Sequence, residues 1–230
     1  MIRRQNETSF KDFLFLTISG LAALFVLAFI IINPPTKTQD VPAKAEFLLV
    51  IEWDDLVGDD IDLWARDPNK NVVSFRNDAA GIMSLEKDDL GFSNDTFTDD
   101  QGNQHLVRIN REVISIRGIQ SGEYNVAAHI YSLRADTVIN STLKQYNIEQ
   151  LSSSEITNRR IIRFTLIKIN PTYTEVFSIE QPYNSKGGVI HLVNFTVTRD
   201  GEVENVNTTP VPFIYRSTNF HQEDGSTSGR

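Results

Sequence analysis

No cysteine occurs in the 230 residues, which excludes a disulfide framework, a thiolate zinc site and an iron–sulfur cluster. Positive charge is scarce as well. Twenty-two Lys and Arg stand against 30 Asp and Glu, a net charge of −8, whereas a nucleic-acid-binding surface draws most of its affinity from a basic footprint. Local catalytic signatures are missing: there is no H-E-x-x-H, G-x-S-x-G, Walker A or G-x-G-x-x-G stretch, so no zinc-protease, serine-hydrolase or nucleotide-binding chemistry is legible. What is present is a chain 40% hydrophobic and 23% charged. That balance suits one folded domain with appendages, and neither wholesale disorder nor a polytopic membrane protein.

The apolar residues concentrate at the start. Phe13 to Ile32 runs for twenty residues without a charge, and fourteen of them are Phe, Leu, Ile or Val. As a helix this stretch is about 30 Å long, the thickness of a hydrocarbon core. It is expected to be a transmembrane helix (13–32) behind a short N-terminal tail (1–12). Arg3, Arg4 and Lys11 precede it and only Lys37 and Lys44 follow closely, so the positive-inside rule places the N-terminus in the cytoplasm and exports the rest. A cleaved signal peptide fits less well, because the run exceeds the usual apolar region and the small-x-small site Ala43-Lys44-Ala45 lies far beyond its end. Residues 33–44 carry three prolines and read as an extended linker. Residues 217–230 are polar and Ser/Gly-rich, and read as a disordered tail. The folded unit is expected over residues 45–216.

Within that unit the dominant signal is strand. Glu46 to Trp53 is apolar on both faces and reads as a central strand. Tyr124, Val126, Ala128 and Ile130 alternate with Asn125, Ala127, His129 and Tyr131; Ile162–Leu166 and Val193–Val197 alternate likewise. Turn chemistry appears at Asp67-Pro68-Asn69-Lys70 and at Asp200-Gly201. Some nine or ten strands and one segment that could be helical, 135–148, point to an all-β fold: an antiparallel β-sandwich of jelly-roll type.

From Trp53 to Tyr131 the chain resembles a group of exported bacterial and phage-encoded β-sandwich domains. The shared pattern appears as Asp60-Ile61-Asp62-Leu63-Trp64, Asp67-Pro68, the acidic loop Gly81 through Asp95, Asn110-Arg111-Glu112, and Gly122 to Tyr131 with Tyr124, Val126 and His129. The pattern commonly has Gly where this chain has Lys70. The resemblance implies a sandwich and an adhesive or assembly role, and it carries no activity.

Candidate ligand-binding residues follow from strand geometry. Asp60, Asp62 and Trp64 share one strand face while Ile61, Leu63 and Ala65 face the core. Two carboxylates on one face, in a region that also holds Asp54, Asp55, Asp59, Asp67, Asp88, Asp89, Asp95, Asp99 and Asp100, suit a Ca2+ ion or a ligand stacked on Trp64. Asp67-x-Asn69-x-Asn71 begins like a calcium loop but has Val72 where Gly is needed and Asp78 where Glu is needed, so it reads as a β-turn. His129, within a strand, reads as a cross-strand hydrogen-bonding partner. The expectation is therefore a single-pass, membrane-anchored, non-enzymatic protein whose sandwich contacts other envelope proteins. The alternative is a calcium- or carbohydrate-binding surface module.

Overall fold

The computed structural model describes residues 2–32 and 44–214, with side chains described from 10 within the first stretch and to 28. The expected linker (33–44, apart from Lys44) and the expected tail lie outside the described residues. The chain divides into two compact units, 1–43 and 44–230.

The first unit is a single helix, α1 (Ile2–Ile32). Its stretch Phe10–Ala28 has a mean hydropathy of 1.8 and none of it is buried against protein, so it is long and apolar enough to cross a membrane. Thr17 donates its hydroxyl to the Phe13 carbonyl at 2.8 Å, the usual way a polar side chain satisfies itself within a helix.

The second unit contains the strands β1 (Phe47–Trp53), β2 (Asp60–Arg66), β3 (Val72–Val73), β4 (Ala79–Ala80), β5 (Met83–Lys87), β6 (Thr96–Thr98), β7 (Gln104–Leu106), β8 (Asn110–Ile116), β9 (Gly122–Ser132), β10 (Ile161–Lys168), β11 (Thr174–Pro182), β12 (Val189–Val197) and β13 (Val203–Asn207). Two short helices, α2 (Asp136–Gln145) and α3 (Ser153–Arg159), lie between β9 and β10. One sheet runs β11-β10-β1-β8-β5-β4 and the other β13-β12-β9-β2-β3. Every pairing is antiparallel. β6 and β7 form a separate hairpin.

The architecture is the expected all-β sandwich. Leu49, Ile51, Ile114, Ile116, Phe164 and Leu166 from the first sheet meet Ile61, Leu63, Val126, Ala128 and Phe195 from the second in one core. Tyr124 stacks on Phe195 with ring centroids 5.2 Å apart and adds packing beyond its buried area. β1 is central, between β10 and β8, which is why its residues are apolar on both sides.

The strand count exceeds the sequence expectation because β4, β6 and β7 have only two or three residues each, too short to show a period. The segment 135–148 does contain a helix, with Ile139 and Leu143 one turn apart and buried. α3 was not legible from periodicity. Its capping box, Ser152 with Glu155, is the signal that marks it. Both helices rest on a second small core of Val57, Ile139, Leu143 and Ile156.

Lys70 takes a φ of 71° and donates its N–H to the Asp67 carbonyl at 3.0 Å. The turn therefore keeps the left-handed position that Gly would favour, despite a Lys there. Asp67 accepts from the Asn71 backbone N–H and side-chain amide, each at 2.8 Å, the hydrogen bonding of a β-turn as expected.

Candidate functional site

β2 puts Ile61, Leu63 and Ala65 into the core and turns Asp60, Asp62 and Trp64 to the opposite face, as the alternation requires. That second face is also covered, so all three candidate residues are buried. Trp64 packs with Ala127 and Phe213, and the Phe75 ring meets it edge-on at 6.0 Å. The indole is a packing element here, and its Nε1 has no partner among the described residues.

Asp62 stands directly across from His129 in the β2–β9 register, and its Oδ2 lies 2.9 Å from His129 Nδ1. This is the cross-strand role expected for His129. Burial raises the Asp62 pKa, and the histidine pulls it back down. Asp60, at the start of the strand, is 93% buried by its 7% exposure, and its Oδ1 finds no partner among the described residues. Desolvation, then the charges of Asp62 and Asp88, push its pKa up to about 6.

The residue that completes this group comes from the other sheet. Glu112 on β8 is 1% exposed. Only the last residues of β2 pair with β3, so the edge of β2 before Ala65 is open on that side, and the Leu63 N–H donates to Glu112 Oε2 at 2.6 Å. Glu112 Oε1 accepts from the Asp89 N–H at 3.2 Å. One carboxyl thus caps a strand edge and anchors the acidic loop after β5. Burial is the first cause that pushes the Glu112 pKa up to about 10, the two backbone N–H donors oppose it, and the neighbouring Asp88 and Asp62 carboxylates add to it. Carboxylate oxygens of Asp62, Asp88 and Glu112 lie within 4.8 Å of one another, with Asp88 exposed and the other two buried. Asp60 and Asp62 also line an open cavity of about 150 Å³ together with Phe75, Leu90 and Tyr131.

The loop is held in place by its own contacts. Asp89, fully buried, accepts from Lys87 Nζ at 2.6 Å, from the Gly91 N–H at 3.0 Å and from the Arg111 N–H at 3.0 Å. Asp95 is buried nearby, and desolvation followed by the Asp89 charge pushes its pKa up to about 7.

The remaining acidic residues of the dense region go elsewhere. Asp54 pairs with Arg159 at 2.7 Å and Asp55 with Arg108 at 3.0 Å. Asp99 folds the β6–β7 hairpin by accepting from Asn103 and facing His105 at 2.7 Å. Asp59 is fully buried. It accepts from the Arg134 N–H at 2.6 Å, from Arg160 Nε at 2.9 Å and from the Tyr183 hydroxyl at 3.2 Å. Adjacent positions 59 and 60 therefore serve a structural hub and the carboxylate group respectively. Glu112 was missed by sequence reasoning, although it stands in the quoted Asn110-Arg111-Glu112 motif. A Glu in alternation with the inward Ile114 and Ile116 of β8 is the sign that could have found it.

A different surface lies on the outer face of the six-stranded sheet. Leu48, Val50, Val113 and Ile167 form the apolar floor of a groove of about 340 Å³, rimmed by Glu52, Arg111, Arg163 and Tyr173. Tyr173 is 71% exposed. Arg111 pairs with Glu52 across β1 and β8, and Arg163 pairs with Glu180 at 2.7 Å. No known protein family, curated protein or solved structure matches this chain.

Proposed function

We propose that this chain is a single-pass membrane protein that presents a non-enzymatic β-sandwich to other proteins of a cell-envelope assembly. α1 anchors it, with the basic N-terminal residues on the cytoplasmic side and the sandwich on the far side. The observation that carries the contact role is the outer face of the β11-β10-β1-β8-β5-β4 sheet, a groove with an apolar floor under a rim that carries both signs of charge and an exposed Tyr173. A charge-rimmed apolar centre with an aromatic at its edge is the composition of protein-binding patches. The opposite sheet differs, because Phe213 lies over its Trp64 and Ala127.

Photo-crosslinking in intact membranes tests this. A crosslinking residue placed at Tyr173 or Val113 is expected to give discrete heavier adducts, while the same residue at exposed Glu204 on β13 gives none. Recovery of the chain only as an uncomplexed monomer from all three positions overturns the reading.

A further inference from the structure

We infer that Asp60, Asp62, Asp88 and Glu112 form a Ca2+ site that ties the acidic loop after β5 to the open edge of β2. The first support is spacing. Carboxylate oxygens of Asp62, Asp88 and Glu112 all lie within 4.8 Å of one another, close enough to share one ion, and Ca2+ accepts irregular oxygen geometry where Mg2+ demands a near-ideal octahedron.

The second support is independent of the cluster. Asp60 Oδ1 is a buried carboxylate oxygen with no partner among the described residues, in a residue only 7% exposed. It shares a cavity with Asp62. A buried, unpaired carboxylate oxygen is costly unless something positive answers it. The charges near Asp60 are chiefly Asp62, Asp88 and Asp89, opposed by Arg134, and Asp89 already has Lys87. His129 answers one oxygen of Asp62 only.

The third support is coordination and access. A carboxylate oxygen has about two lone-pair sites, and each Glu112 oxygen uses one on a backbone N–H; the others become available to an ion once it displaces the proton that burial holds on Glu112. Four carboxyls with water from the cavity supply the six to eight oxygens Ca2+ takes, and exposed Asp88 gives the ion a way in. Trp64, expected beside such a ligand, lies further along the strand in the aromatic cluster and takes no part.

The test uses the full chain in detergent, stripped with EDTA and then given Ca2+ or Mg2+ alone. Modules of this kind bind at about 0.1–1 mM, so Ca2+ at about 10 mM is expected to raise Tm by at least about 3 °C, with Mg2+ doing much less. Equilibrium dialysis with radioactive Ca2+ at millimolar concentration is expected to give one bound ion per chain. Asp60→Asn and Asp88→Asn lose both responses while remaining folded by circular dichroism; Asp88 is exposed, so its variant keeps the test open if Asp60→Asn fails to fold. No Ca2+ response in the folded wild-type chain overturns the site. So does an equal response in wild type and Asp88→Asn, which would place the ion at other surface carboxylates, such as the Asp99 hairpin.

Discussion

Single buried charges decide much of this molecule. Asp59 has no solvent exposure, and one carboxylate serves a backbone N–H, a guanidinium and a phenol drawn from three different parts of the chain. Removing one member of such a set leaves the others desolvated and unpaired, which costs more than the intact set contributes. Asp59→Ala is therefore expected to lower the unfolding free energy by about 3–5 kcal/mol, read from urea denaturation of the full chain in detergent. A loss below about 1 kcal/mol, the size of a surface ion pair, would show that Arg160 and Tyr183 find other partners. Asp62 and His129 are simpler, because direct opposition in the register brings them together. The alternation of β9 marked His129 as a cross-strand partner in the sequence, but only the register of β2 against β9 shows that Asp62 is the residue it meets. Glu112 was not legible, because its partners Leu63 and Asp89 are 49 and 23 residues away, and no local period reports such distances.

At the scale of elements, the acidic loop depends on a close crossing of two chain segments. Gly91 has a φ of 58°, and a Cβ added there would lie 2.4 Å from the Gly58 carbonyl oxygen. Gly102, at the tip of the β6–β7 hairpin, also has positive φ but open space around it. Gly102→Ala should therefore cost only the backbone term, about 1 kcal/mol, while Gly91→Ala adds a steric clash and should cost about 2–4 kcal/mol. Paired thermal melts of the two variants check this, and equal losses would mean the crossing relaxes freely. The sequence marked 135–148 as a segment that could be helical, and α3 went unread, because a seven-residue helix with one buried side chain has too few turns to display a stripe.

For the whole molecule, burial of acids sets the pH response. Asp60, Asp95 and Glu112 have pKa values raised to about 6, 7 and 10, so the folded chain keeps protons that the unfolded chain has already released. Their contribution to stability is complete below the ordinary carboxylate range and declines as pH rises through those three values. Glu86, Asp99 and Glu155 are shifted down and act oppositely, losing stability only as pH falls below about 4.5. His191, shifted down by burial, also disfavours acid, as one group against four, since burial raises Asp62 as well. In EDTA, the Tm of the full chain is therefore expected to peak near about pH 5 and to be lower at about pH 8. A Tm that rises steadily from 5 to 8 would contradict the burial of these acids.

The sequence by itself determined the apolar helix, the strand alternation and the inward and outward faces of β2, since each depends on periods of two or 3.6 residues that lie within one element. It also marked Asp60 and Asp62 as neighbours on one face. Tertiary structure alone decided that this face is covered, that Trp64 is packed under Phe75 and Phe213, and that Glu112 crosses from the other sheet to the edge of β2. Those are contacts between distant segments, created by sheet order and loop path, and a one-dimensional pattern holds no record of which strand becomes whose neighbour.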